Sequence, residues 1–127
     1  MDIILDTNFI ISCVREKIDF LDILEFGKPV IPELVIEELE KLELEERGKD
    51  REIVKLAMKI LNKRKSEFRL IKLEKKFVDA GIKVLVDKSF KEGNIIGVAT
   101  LDRGLKSSIS EKARIFSLIS RKKLGFL

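Results

Sequence analysis

Apolar residues occur in two patterns along this chain: short uninterrupted runs, and longer stretches in which they recur every three or four positions. Short runs bounded by polar or turn-forming residues are typical of buried strands, whereas the wider spacing is typical of helices with one packed face. The runs predict strands at residues 3–5, 30–31, 68–73, 95–100 and 113–119. The periodic stretches predict helices at residues 9–15, 19–26, 32–44, 51–65 and 77–89, with another short helix beginning near residue 102.

Glycine and proline positions agree with these boundaries. Gly27 follows the second helix, Pro32 opens the third where a missing backbone N–H does least harm, and Gly48 interrupts the pattern before the fourth. Strands that alternate with helices pair in parallel through right-handed crossovers. We therefore expect an α/β fold, a three-layer α/β/α sandwich with a mainly parallel central sheet.

Length and composition narrow the class of protein. The 127 residues contain no visible linker or repeat, so residues 1–127 are predicted to form a single domain. The net charge of +4 permits an anionic partner without requiring one. Cys13 is the only cysteine and lies in an apolar stretch, which indicates a buried residue in a reducing compartment. No apolar run reaches the roughly 18 residues of a membrane span and no signal peptide is visible, so a cytoplasmic protein without a membrane partner is expected.

Four acids occur beside an apolar face or at the end of a predicted strand: Asp6, Glu38, Asp79 and Asp102. The chain has no histidine and one cysteine, which leaves few kinds of chemistry open. Converging carboxylates are one of these, because they hold hard divalent cations such as Mg²⁺ or Mn²⁺.

Asp6 and Asp102 follow predicted strands. Asp6 comes directly after the strand at 3–5, and Asp102 lies two residues after Thr100, which ends the strand at 95–100. Ligands in open α/β sheets bind beyond the carboxyl ends of strands. The alternative is that each acid only caps the helix that follows it.

Glu38 is separated from its neighbour Glu37 by helical geometry. At about 100° per residue, the apolar arc runs from Leu34 at 0° to Leu39 at about 140°. Glu38 falls at about 40°, inside this arc, while Glu37 falls at about 300°, outside it. A carboxylate on a packing face is costly unless it is paired. The alternative to a ligand site is a salt bridge with a lysine or arginine.

Asp79 lies early in the predicted helix at 77–89, beside Ile82 and Val86 on the helical wheel. It therefore borders the buried face. The alternative is that Asp79 only complements the helix dipole.

These acids occur in four sequence pieces, namely Leu5-Asp6-Thr7-Asn8, Glu38-Leu39, Asp79 with Ile82 three residues later, and Ala99-Thr100-Leu101-Asp102. Their order resembles the PIN domain family of nucleases, and the similarity extends from Ile3 to Leu124. The Asp-Thr-Asn and Thr-x-Asp pieces are the specific parts. Size and ending are similar to small archaeal PIN proteins, including the rRNA-processing branch, and the chain is also similar to the toxin nucleases of toxin–antitoxin pairs.

The resemblance implies a role for each matching position. One or two Mg²⁺ or Mn²⁺ ions would be bound by Asp6, Glu38, Asp79 and Asp102. Polar side chains that brace these acids would be Thr7, Asn8 and Thr100. Two departures concern this set: many relatives have a second acid where this chain has Ala80, and a polar residue where it has Leu101.

The implied activity is that of a metal-dependent endoribonuclease, which hydrolyses RNA phosphodiester bonds. An ion held mainly by Asp6 and Asp102 would polarise the phosphate and lower the pKa of a bound water. RNA phosphates would be contacted by Arg103, Lys106, Arg121, Lys122 and Lys123, and a third basic cluster occupies residues 62–65. Each cluster has the alternative of being solvated surface, and the absence of Tyr and Trp gives no strong indication of base stacking.

Two other functions compete with this interpretation. One is a non-catalytic PIN-fold module for RNA binding or ribosome assembly, against which the four retained acids argue. The other is a phosphotransferase or phosphatase with a strand-end Asp nucleophile, which usually has a second Asp where this chain has Asn8. Expected partners are RNA, a second copy of the chain through the apolar face of residues 51–65, and either an antitoxin-type inhibitor protein or a ribosomal precursor.

Overall fold

The computed structural model describes residues 1–120 and 123–127. The strands are β1 (Asp2–Leu5), β2 (Lys28–Pro32), β3 (Arg69–Ile71), β4 (Gly97–Ala99), β5 (Arg114–Ser120) and β6 (Lys123–Phe126). The α-helices are α1 (Thr7–Arg15), α2 (Glu33–Glu45), α3 (Gly48–Lys63), α4 (Val78–Lys91) and α5 (Arg103–Ile109). Two 3₁₀ helices cover Phe20–Glu25 and Lys65–Glu67.

The strands form one sheet in the order β3-β2-β1-β4-β5-β6. Neighbouring strands from β3 to β5 are parallel, and Ile4 of β1 aligns with Val30 on one side and with Val98 on the other. Among the strands of the described residues, β6 alone pairs in the antiparallel direction, against β5. The chain thus starts in the middle of the sheet, builds to one edge, and returns to build to the other.

Helices cover both faces of this sheet. Contacts join α1, α2 and α3 into one group, while α4 contacts α5. Right-handed crossovers place the connections from β1 to β3 on one face and those from β3 to β5 on the other. The predicted α/β fold, a three-layer sandwich with a mainly parallel sheet, is confirmed.

Several predicted boundaries are wrong in detail. The helix predicted from residue 51 begins at Gly48, whose φ of 58° lets the chain turn sharply between α2 and α3. The segment predicted as a helix at 19–26 is a 3₁₀ helix at Phe20–Glu25. Within the strand predicted at 95–100, only Gly97–Ala99 forms β4. Phe77 precedes α4 as its N-cap.

β6 is absent from the prediction, which ends the fold with β5 and takes residues 121–123 as a basic tail. Lys123 instead begins β6 and pairs with Ser120. β6 does not appear as an apolar run in the sequence, because Leu124 and Phe126 are half-buried and Gly125 separates them.

The core consists mainly of aliphatic and phenylalanine side chains between the sheet and the two helical layers. Cys13 is fully buried in it, and burial raises the pKa of its thiol to about 12, so it is a packing residue as predicted. Within the described parts of the chain, no helix is both long enough and apolar enough to cross a bilayer.

Candidate active site

The site lies where the strand order of the sheet reverses, at the carboxyl ends of β1 and β4. These strands are neighbours whose connections leave toward opposite edges, and such a point opens a crevice beyond the strands. The backbone of Asp6 remains tied to the sheet, because its N–H donates to the carbonyl of Ala99 at 2.9 Å. Asp6 and Thr100 therefore leave the sheet side by side.

Asp6 is buried, with only 4% of its surface exposed. Its Oδ1 accepts a hydrogen bond from the Thr7 N–H at 2.8 Å, and its Oδ2 accepts one from Thr100 Oγ1 at 2.7 Å. Burial raises the pKa of Asp6 to about 6; the Thr100 hydrogen bond opposes this, and the charges of Asp79 and Glu38 add to it. The fold thus holds a carboxylate where its negative charge is poorly compensated.

Glu38 reaches the same site from α2. Thr7 Oγ1 donates to Glu38 Oε2 at 2.7 Å, so one threonine contacts Asp6 through its backbone and Glu38 through its side chain. The prediction that Glu38 lies on the packing face is wrong, because Val35 and Leu39 form the centre of the buried face and Glu38 is exposed at its margin. In the described part of the chain Glu38 joins no ion pair, so the alternative salt bridge is not observed.

Thr100 links Asp6 to Asp102. This fully buried threonine donates to Asp6 and accepts a hydrogen bond from the Asp102 N–H at 3.1 Å. Asp102 also caps α5, since its Oδ1 accepts from the Leu105 N–H at 2.8 Å, and Asp6 caps α1 by accepting from the Thr7 N–H. Capping and membership of the acid site are therefore compatible, and the choice posed by the sequence is not exclusive.

Asp79 lies in the first turn of α4 and is exposed. Partial desolvation raises its pKa, the nearby charge of Asp102 raises it further, and Lys83 one turn later lowers it. Asp79 also contributes to raising the pKa of Asp6. The charges of the four predicted acids thus act on one another. If Asp79 only complemented the helix dipole, it would not need to lie near the other acids.

Asn8 is the third of the polar residues expected to support the acids. Its Oδ1 accepts a hydrogen bond from the backbone N–H of Leu101 at 3.3 Å. This bond joins the start of α1 to the segment between β4 and α5. The contact uses the backbone of Leu101, so the missing polar side chain at that position does not interrupt it.

A cleft of about 570 Å³ opens above Asp6. Thr7, Asn8, Glu38 and Asp79 line it, together with an apolar wall of Ile11, Leu42, Phe77 and Val78. Phe77 and Lys83 were not predicted from the sequence as site residues. The run Lys75-Lys76-Phe77, which ends two residues before Asp79, was the signal that could have identified Phe77.

The basic residues predicted to bind RNA are distributed more widely. Arg103 is exposed at the first position of α5, directly after Asp102. Lys106 Nζ donates to Ser117 Oγ at 3.4 Å, and neither residue is among those that line the cleft. Lys123 pairs with Ser120, beyond the carboxyl end of β4. Arg121 and Lys122 lie outside the described residues, so their predicted role is not examined by the structure.

The cluster at residues 62–65 has a structural role in part. Arg64 forms ion pairs with Asp19 and with Glu67, which tie the end of α3 to the start of the first 3₁₀ helix. This arginine is occupied within the fold, in line with the alternative that the cluster is not a binding surface.

The acids are not gathered into a preformed metal cage. In residues 1–120 and 123–127, no group of three or more Asp, Glu, Cys or His side chains is placed to hold a metal ion. Carboxylates that face one another without a cation repel, which favours separated positions. The donor chemistry nevertheless fits Mg²⁺ or Mn²⁺, since the site offers hard carboxylate oxygens around a buried Asp6 whose charge lacks a positive partner.

Comparison with solved structures identifies related proteins. The chain is similar to a structure described as that of the PIN domain endonuclease Utp24, with a TM-score of 0.72 and 28% identity over 98% of this chain and 90% of that one. A domain of a functionally unknown protein from Methanocaldococcus jannaschii DSM 2661 has the same fold, with a TM-score of 0.53 and 17% identity over 96% and 94% of the two chains. Comparison with curated protein sequences gives no significant match.

The sequence profile of a family described as "PIN like domain" matches residues 3–121, nearly the whole chain. The strand order, the four acids and the likeness to a PIN endonuclease agree with that match. The resemblance inferred from the sequence is confirmed: this chain belongs to the PIN-like domain family and has the nuclease-type PIN fold.

Proposed function

We propose that this protein is a metal-dependent endoribonuclease that hydrolyses RNA phosphodiester bonds in the cleft above Asp6. The observation that carries the proposal is the buried Asp6 carboxylate, which two threonines connect to Glu38 and to Asp102. A fold that buries a charge in a cleft and surrounds it with further acids gains nothing in stability from that arrangement. The same arrangement suits a site for a divalent cation.

The likeness to a PIN endonuclease supports the same activity. Asp6, Glu38, Asp79 and Asp102 are the residues proposed to hold Mg²⁺ or Mn²⁺. Such a cation would polarise the scissile phosphate and lower the pKa of a bound water, so that the oxygen of the resulting hydroxide could displace a ribose oxygen from phosphorus.

Each residue of the site has a defined task under this proposal. Thr100 fixes Asp6 and the backbone of Asp102 relative to each other, and Thr7 fixes Asp6 relative to Glu38. The first turn of α4 contributes one acid to the site, Asp79. The next position, where many relatives have a second acid, is Ala80. Arg103 is exposed, follows Asp102 directly, and is proposed to neutralise a substrate phosphate.

RNA is the proposed substrate, and the net charge of +4 favours an anionic partner. Either an antitoxin-type inhibitor protein or a ribosomal precursor is proposed as a further partner on the strength of the family resemblance. A cytoplasmic location is proposed because the single cysteine is buried and forms no disulfide.

A non-catalytic RNA-binding or assembly module is the second candidate function. The observation in its favour is that no three of the described acids are close enough together to hold a metal ion as they stand. The two functions make opposite predictions for cleavage.

The test is cleavage of a mixed RNA pool with Mn²⁺ or Mg²⁺, with and without excess EDTA. We expect cleavage that EDTA abolishes and that falls by at least about 100-fold in Asp6→Asn, in proportion to losses seen when a charge-stabilising group is removed. Glu38→Gln is expected to reduce cleavage, whereas Glu37→Gln, the neighbouring exposed glutamate, serves as the matched control and should retain it. Undiminished cleavage in EDTA contradicts the mechanism, and RNA binding without any cleavage favours the second candidate.

A further inference from the structure

Phe77 is the most exposed of the eight phenylalanines, with 75% of its surface accessible. Its neighbour Val78 is 4% exposed, so the chain buries one apolar side chain and leaves the adjacent larger one in water. The Phe77 ring lines the acid cleft together with Asp6 and Asp79, and Ile11 and Leu42 continue the same apolar wall. Apolar walls with a few polar groups are typical of ligand sites.

Local stability does not account for a phenylalanine at this position. Phe77 is the N-cap of α4, with φ −113° and ψ 142°, and its side chain makes no capping hydrogen bond. Ser, Thr, Asp and Asn are strongly preferred at such positions, because their side-chain oxygens accept from the first N–H groups of a helix. The ring also contributes little to the core, since most of it is exposed.

Positive charge flanks the ring on its N-terminal side. Residues 72–77 form the loop between β3 and α4, and this loop contains three exposed lysines and one glutamate: Lys72, Lys75, Lys76 and Glu74. Lys83 adds a further cation one turn beyond Asp79. An exposed aromatic residue that directly follows two exposed lysines offers a stacking face with cations beside it in the chain, which suits the alternation of base and phosphate in a single strand.

We propose that Phe77 stacks on an unpaired nucleobase of single-stranded RNA while Lys75 and Lys76 contact the flanking phosphates. This inference rests on the proposed ribonuclease function, because the stacked base places the adjacent phosphodiester bond beside Asp6 and Asp79. A duplex cannot use the platform, since the faces of its bases are already covered by their neighbours. Phe77 thus selects unpaired segments and positions them.

Binding measured without cleavage tests the proposal. Wild type and Phe77→Ala are titrated in excess EDTA and low salt into a single-stranded oligoribonucleotide that carries 2-aminopurine, a base whose fluorescence falls on stacking. Phe77→Ala is expected to weaken binding by about tenfold or more and to abolish the fluorescence change. Phe90→Ala is the matched control, because Phe90 is also exposed and lies at the far end of α4 outside the cleft. It should behave as wild type, and a fully paired duplex should bind equally to all three proteins.

Two further variants separate binding from folding. Phe77→Ser supplies the missing capping oxygen, so it should melt at a temperature equal to or higher than that of wild type. It should nevertheless lose affinity for the oligonucleotide. Phe77→Leu keeps an apolar side chain without an aromatic face and should also lose affinity and the fluorescence change.

The proposal is overturned if Phe77→Ala binds as tightly as wild type, or if wild type binds no single strand. It is also overturned if wild type forms a dimer that Phe77→Ala dissociates in light scattering, because a second copy would then cover the ring. Failure of the proposed function looks different: wild type would bind the single strand through Phe77 and leave it uncleaved in Mn²⁺.

Discussion

Thr100 shows at the scale of single residues how a polar side chain in the core prepares a site. It is fully buried, and its hydroxyl both donates to Asp6 and accepts from the Asp102 backbone. Ser117 Oγ donates to the Thr100 carbonyl at 3.2 Å, so the backbone of Thr100 is fixed as well. The orientation of two acids therefore depends on one hydroxyl group.

Removing that hydroxyl tests this dependence. Thr100→Val should lower nuclease activity by about 10- to 100-fold, the range found when residues that orient metal ligands are removed. It should also destabilise the protein by about 1–3 kcal/mol, because the buried Asp6 carboxylate loses a donor and the part-buried Asp102 N–H loses its acceptor. Thr100→Ser keeps the hydroxyl and should retain most of the activity. Equal activity in the Val and Ser variants would show that Thr100 does not orient the acids.

The raised pKa of Asp6 predicts a pH effect on the metal-free protein. Because the folded pKa of about 6 exceeds the ordinary 3.8, Asp6 favours folding below pH 3.8 and loses that contribution as the pH rises through 6. A shift of about two units corresponds to about 3 kcal/mol. The free energy of unfolding of Asp6→Asn, taken relative to that of wild type, should therefore rise by about that much from pH 4 to pH 7.

Urea unfolding in EDTA at the two pH values measures this difference. With Mn²⁺ present at pH 7 the order should reverse, because the cation stabilises the wild type and not the variant. A difference between the two proteins that does not change with pH would show that Asp6 titrates normally.

At the scale of elements, the start of α4 is subject to two opposing effects. The helix dipole favours an acid in its first turn, while the charge of Asp102 opposes ionisation of the same Asp79 carboxyl. Phe77, the N-cap of α4, lines the same cleft as Asp79, and the charge of Lys83 in α4 acts on Asp79. This helix end combines an acid, an aromatic ring and a cation within two turns.

Asp79→Asn decides which of the two effects dominates. If repulsion dominates, the metal-free variant should melt at the same temperature as wild type or higher, and the gain in melting temperature on adding Mn²⁺ should shrink. If Asp79 only complements the dipole, its loss should cost about 0.3–1 kcal/mol and leave the response to Mn²⁺ intact. Melting curves of both proteins with and without Mn²⁺ measure this. A lower metal-free melting temperature with an unchanged Mn²⁺ gain would remove Asp79 from the site.

At the scale of the whole molecule, the helical layer of α1, α2 and α3 bears on the predicted homodimer. The apolar face of α3 is buried within the chain at Val54, Ala57 and Leu61, so most of the surface that suggested a dimer is already covered. Leu44 and Leu56 remain exposed, at 77% and 49%. Leu56 is the exposed large apolar residue of α3, the helix through which the homodimer is expected.

Light scattering at high protein concentration tests the expected homodimer. It should give twice the chain mass of 14.6 kDa, and Leu56→Lys should return it to a single chain by placing a charge in the interface. Lys55→Gln, a neighbouring change on the same helix, should leave the dimer intact. A wild-type mass of one chain would reject the prediction.

Much of the fold was predictable because burial leaves a mark on local sequence. β1 and α2 have apolar residues at the spacing of their elements, and Pro32 marks a helix start. β6 was not predictable in this way, because a half-buried edge strand with an internal glycine has no such pattern. The start of α3 was misplaced because only the tertiary path shows that the turn ends at Gly48.

The sequence by itself determined which residues could form the site, because strand ends, helix starts and residue chemistry are local properties. It identified Asp6 and Asp102 at strand ends and connected all four acids through a family resemblance. Tertiary structure alone decided the hydrogen bonds from Thr7 and Thr100 and the burial that raises the pKa of Asp6. It also placed Phe77 in the cleft, since contacts between residues far apart in the chain depend on how the elements pack and leave no local pattern.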